Sequence, residues 1–181
     1  MATLDQSSLV LQLAVSLKDN GSWAGETHVQ KAGYFLSELL RVPLGVDFIL
    51  YKHGPFSFGL RELLTNMEAM GFIRWKSMPP YGPSIVEGEL GGVLLAEFPA
   101  LVDEYQSQIQ FVAQQLGSRN VANLERVATA LYVTKEGYEG SSRVGRLVSL
   151  KPHVDVMLAE KAVQEFDEIA ARATDLQLVI Q

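Results

Sequence analysis

Asp47, His53 and Ser57 place an acid, an imidazole and a hydroxyl in one short stretch of the chain. Nucleophilic catalysis would need the three in hydrogen-bond reach, the imidazole taking the hydroxyl proton and the acid orienting the imidazole. A simpler duty competes for Ser57. It follows Gly54-Pro55-Phe56, and a Ser after such a turn can accept the first free N–H groups of a helix. Tyr51-Lys52-His53-Gly54-Pro55-Phe56-Ser57 is therefore expected to be a structural junction, with no catalytic residue assigned and a small hydrolase kept only as a third reading. His28, His53 and His153 lie far apart, and none has a His or carboxylate at the i+4 spacing that helical metal sites use, so no metal ligand is assigned. Glu87 and Glu89 share a strand face, where paired carboxylates are usually solvated. Gly88, Gly91 and Gly92 lack the Lys-Ser/Thr ending of a phosphate cradle, and no cofactor is expected. The chain has no cysteine, which removes disulfides, thiol catalysis and thiolate metal sites.

The elements that must position these residues follow from periodicity. Leu9, Val10, Leu13 and Leu17 predict a helix over residues 4–18, stopped by Asn20-Gly21. Thr27 and Gln30 have capping-box spacing and predict a second helix from Thr27 to about Arg41. Residues 45–51 are β-branched and aromatic enough for a short strand, and Ser57 then caps a helix that buries Leu60, Leu63, Leu64, Met67 and Met70 before Gly71 ends it. Residues 72–78 and 85–90 predict two strands around the turn residues 79–84, with Gly91-Gly92 closing the unit. Helices are expected over 98–116, from about Asn120, around 144–150 and from Asp155 onward. The apolar tail at 176–180 is expected to pack on its own chain first, with pairing across a homodimer or strand addition to a partner as alternatives. The fold class is mainly α (α+β): a single helical domain over 1–181, with a winged-helix-like β-hairpin at about 72–91 and a helical C-terminal part at about 98–173.

Composition narrows the partners. With 181 residues, 48% hydrophobic and 20% charged, the chain can bury a core unaided. Fifteen Lys and Arg stand against 21 Asp and Glu, a net charge of −6 that opposes avid binding to phosphate backbones. The first residues lack a basic segment leading into a long apolar run, and no uncharged stretch is long enough to span a bilayer, so a soluble, cytoplasmic protein with no membrane attachment is expected.

Two blocks resemble the family of YwgA-like proteins and the Panacea (SocA-type antitoxin) domain. The first runs from His28, Lys31 and Tyr34 through Tyr51–Ser57 to Leu60, Leu64 and Met70-Gly71-Phe72-Ile73. The second is Ala130-Leu131-Tyr132 with Leu147-Val148-Ser149-Leu150-Lys151-Pro152-His153 and a final amphipathic helix. Lys31, Tyr34, Gly54 and Pro55 match the recognisable positions. The resemblance implies a mostly helical domain without established enzymatic activity, whose relatives act as antitoxins or adaptors that bind other proteins.

A non-catalytic interaction or regulatory module is accordingly expected, binding a toxin or a client delivered to a protease, with a homodimer as a further partner. Lys31, Tyr51, Lys52, His53, Phe56, Trp75 and Tyr81 are its candidate partner-binding residues, because partly exposed aromatics are favoured anchors. The alternative is a DNA-binding regulator in which the helix from Ser57 and the following hairpin present Arg61, Asn66, Arg74 and Lys76.

Overall fold

Every residue from His28 to Leu36 is buried, which no amphipathic surface helix could show. The computed structural model, which describes residues 3–79 and 81–180, explains this by placing that helix at the centre. In chain order the elements are α1 (Leu4–Asp19), α2 (Glu26–Glu38), β1 (Ile49–Tyr51), β2 (Gly54–Phe56) and α3 (Phe58–Ala69). There follow β3 (Ile73–Met78), β4 (Tyr81–Glu87), α4 (Gly91–Glu97), α5 (Pro99–Leu116), α6 (Val121–Lys135), α7 (Ser142–Leu150) and α8 (Val156–Asp175). The chain is mainly helical with two antiparallel two-stranded sheets, β1-β2 and β3-β4. Helix α2 touches α1, α5, α6 and β2, while α8 packs on α6 and α7. Leu13, Leu17, Leu36, Leu116, Val127 and Phe166 belong to the one apolar core between these helices.

Side-chain caps set three of the helix starts. Ser57 Oγ accepts from Leu60 N at 3.0 Å, the Asn120 side chain from Asn123 N at 2.9 Å, and Asp155 Oδ1 from Leu158 N at 2.8 Å. The helix-then-hairpin order foreseen after Ser57 is present, and loop 22–25 covers an edge of β4 through Ile85 N donating to Ala24 O at 2.9 Å.

Several boundaries differ from expectation. Helix α2 starts at Glu26 with Gly25 as its cap, because the Gln30 side chain is bonded across space to Ser57 rather than back to Thr27. It also ends at Glu38, before the left-handed Arg41 (φ 65°). Only residues 49–51 of the first predicted strand are paired, since their partner strand is three residues long. Strand β4 begins at Tyr81 and stops at Glu87, and Gly91-Gly92 opens helix α4 rather than ending the unit. A Cβ on Gly91 would lie 2.9 Å from Phe72 O, so this glycine serves close approach and not termination. The tail folds back: Leu178 packs against the core and Ile180 N donates to Leu40 O at 3.4 Å. No helix among the described residues is long and apolar enough to cross a membrane.

Candidate functional site

The β1–β2 hairpin turns through two residues, Lys52 and His53, with Tyr51 opposite Gly54. Gly54 has φ +89°, and a Cβ there would sit 3.1 Å from Thr129 Oγ1, so both backbone and space select glycine. A closing pair around a two-residue loop exchanges hydrogen bonds, which makes the next pair, Leu50 and Pro55, a non-hydrogen-bonded one. Proline is tolerated there because its absent N–H would point away from β1, and its carbonyl points the same way.

That outward side is held by buried polar side chains. Lys31 Nζ donates to Pro55 O at 2.8 Å, and Lys151 Nζ, from just beyond α7, donates to Lys52 O at 3.0 Å. The Gln30 amide spans the start of α3, giving Nε2 to Ser57 O at 3.0 Å and accepting from Ser57 N at 2.9 Å. Lys31 is 2% exposed and Lys151 5% exposed. Burial depresses the Lys31 ammonium to about 8; neighbouring Lys151 adds to the fall, while Glu125 and Glu26 oppose it. Burial likewise lowers Lys151, again against Glu125. Glu125 Oε1 lies 3.4 Å from His53 Nδ1 at the hairpin tip. Hydrogen bonds to charged groups contribute about 1.5–3 kcal/mol each, so these contacts fix the hairpin firmly.

The other hairpin face is open. Directly opposed and alternate residues share a face, which puts the side chains of Ile49, Tyr51 and Phe56 together. Tyr51, Phe56 and the first residue of α3, Phe58, form a mutual ring cluster with centroids 5.8, 5.5 and 5.1 Å apart. Phe58 is 52% exposed and Tyr51 43% exposed. The Arg61 guanidinium stacks 4.6 Å from the Phe56 ring while its Nε donates to Glu26 Oε1 at 2.7 Å. Between this cluster and α2 lies a hollow of ≈120 Å³, lined among others by Glu26, Lys31, Tyr51, His53, Phe56 and Arg61.

Of the residues singled out in the sequence, Tyr51, Lys52, His53 and Phe56 thus converge on one surface, with Lys31 beneath it. Trp75 is half-buried on β3 and lines a second, ≈990 Å³ groove with Trp23, His28 and Arg119, which shares Glu26 and Thr27 with the small hollow. Tyr81 begins β4, and its side chain lies outside what the structure describes. His28 is buried against Arg119 O at 2.9 Å, and burial lowers its pKa. Arg61, Asn66, Arg74 and Lys76 are all exposed, Arg61 being tied to Glu26. The acid–base–hydroxyl set is dispersed in use: Asp47 is exposed, His53 meets Glu125, and the buried Ser57 Oγ caps α3. Among the described residues no group of three or more His, Cys, Asp or Glu is disposed to hold a metal ion. Sequence reasoning missed Phe58, whose exposure depends on the hairpin lying beside it, and the role of Lys151, whose target is far away in the chain. No protein-family model and no curated protein matches this chain.

Proposed function

We propose that this chain is a non-catalytic cytoplasmic docking module that acts by binding another protein, in the antitoxin or adaptor manner implied by its resemblance to YwgA-like and Panacea proteins. The observation that carries the reading is the ring cluster of exposed Tyr51 and Phe58 with half-buried Phe56, topped by Arg61, on a hairpin clamped from behind. Aromatic residues and arginine dominate binding energy at protein interfaces, and a surface already held in shape loses little entropy on docking. The module would work by occlusion, covering the partner's working surface with this face. Use of Ser57 Oγ as a helix cap supports the non-catalytic side of the reading.

The test is partner recovery. Tagged protein expressed in its native cells is used to isolate bound proteins, with Tyr51→Ser plus Phe58→Ser as the comparison. Recovery of a specific partner should fall at least tenfold while the far-ultraviolet circular dichroism stays unchanged. Equal recovery by both proteins would refute this surface. The DNA-binding alternative draws less support, because the chain is net acidic.

A further inference from the structure

The small hollow beside the ring cluster is lined by two cations, Lys31 and Arg61, and one carboxylate, Glu26. At its floor lies Lys31, whose ammonium has three N–H donors and, among the described residues, one hydrogen-bond acceptor, Pro55 O. At its rim stand Arg61 and His53, with the Tyr51 hydroxyl-bearing ring beside them. The one carboxylate in the lining, Glu26, already accepts from Arg61 Nε, and Glu125, beside His53 and outside the lining, also acts on Lys31. Lys151, the second buried cation nearby, donates to Lys52 O and lines the opposite hollow. A buried ammonium with spare donors, a guanidinium with free N–H groups and an aromatic lip together match a small, planar anion flanked by apolar atoms.

We propose that this hollow receives the carboxylate of an aspartate or glutamate side chain carried by the docking partner, held between Lys31 and Arg61, with a neighbouring apolar partner residue against Tyr51 and Phe58. The assignment rests on the docking reading and adds to it what the partner must carry. The size suits it: ≈120 Å³ takes a carboxylate and its methylene, whereas pockets for drug-sized ligands begin near ~300 Å³. The electrostatics suit it too, because burial holds Lys31 down to about 8 and an incoming anion would offset that desolvation. On a chain with net charge −6, an acidic side chain is repelled by most of the surface, so one basic hollow also sets the register of docking.

The experiment titrates the full-length protein with the peptides acetyl-Phe-Asp-amide and acetyl-Phe-Asn-amide and with acetate, following backbone amide shifts. The Asp peptide should bind at least tenfold more tightly than the Asn peptide, with the largest shifts at Lys31, Tyr51, Gly54 and Arg61. Calorimetry at pH 8.5 in two buffers of different ionisation enthalpy should show uptake of about half a proton or more, since Lys31 is largely neutral in the free protein there. Lys31→Met should abolish the uptake, and Arg61→Gln, an exposed change that keeps the fold testable, should remove most of the Asp preference. Asp and Asn peptides binding alike would overturn the carboxylate assignment and leave the docking surface standing. Acetate binding as tightly as the Asp peptide would assign the hollow to free small carboxylates and overturn the partner assignment. No shift with any of the three at 10 mM (about the weakest binding such a titration resolves) would also overturn it.

Discussion

Replacing Lys31 by Met should make this protein lose an unusual pH response. In the folded chain Lys31 is depressed from its ordinary 10.5 to about 8, with burial the leading cause. Below pH 8 folded and unfolded chains both carry the proton, and folding bears the full cost of burying it, about 3 kcal/mol. Between pH 8 and 10.5 the unfolded chain keeps a proton that the folded chain has released, so stability rises with pH, by at most ~1.4 kcal/mol per pH unit. From pH 7 to 9.5 the gain should be about 2 kcal/mol. Lys151, lowered by burial, pushes the same way. Tyr34, raised chiefly by burial and then by Tyr132 and Glu136, takes stability away only once unfolded tyrosines ionise near ~10. The Met variant removes the buried charge but leaves Pro55 O without its donor, a loss of about 1–3 kcal/mol. The two effects nearly offset at pH 7, so the variant should be close to wild type there and about 2 kcal/mol less stable at pH 9.5. Urea denaturation at pH 7, 8, 9 and 9.5 measures both curves. Parallel curves would refute the argument that Lys31 is buried as a strained cation.

Gly54→Ala should destabilise by about 2 kcal/mol, from the left-handed backbone and the approach to Thr129, lowering the melting temperature by roughly 4–8 °C. An unchanged melting curve would mean that the hairpin is not held against α6. Burial alone would raise Glu165, but hydrogen bonds from Asn123 and Arg119 outweigh it and hold the carboxyl below its usual range. Its contribution is therefore present above the ordinary carboxylate pKa and lost as pH falls through the depressed one. Glu165→Gln should be less stable than wild type at pH 7 by about 1–2 kcal/mol, with the gap closing towards pH 3, as thermal melts across that range would show. A gap of constant size would remove the charge from the account.

What the sequence discloses is what acts locally. The caps at Ser57, Asn120 and Asp155 lie three residues from the N–H groups they accept, and each helix start was visible there. Gln30 misleads because its amide ignores its own helix and bonds Ser57 from 27 residues away. Gly91 misleads because a glycine selected by the nearness of Phe72 O looks the same in sequence as one that ends an element. At the site, the turn at Gly54-Pro55 was legible and its surroundings were not. Lys31 on a helix suggests a solvated face, and only the packing of α2 on all sides puts it in the interior. Trp75 belonged by type with Tyr51 and Phe56, yet β3 carries it to the neighbouring groove.

The carbonyls of Lys52 and Pro55 are gripped by lysines that lie on either side of the hairpin in the chain, one before it at position 31 and one long after it at position 151. A ribosome that has released only the first half of the polypeptide has therefore made the Lys52-His53 turn without one of its two fasteners. The turn gains its second fastener late in synthesis, only once Lys151 has emerged and docked.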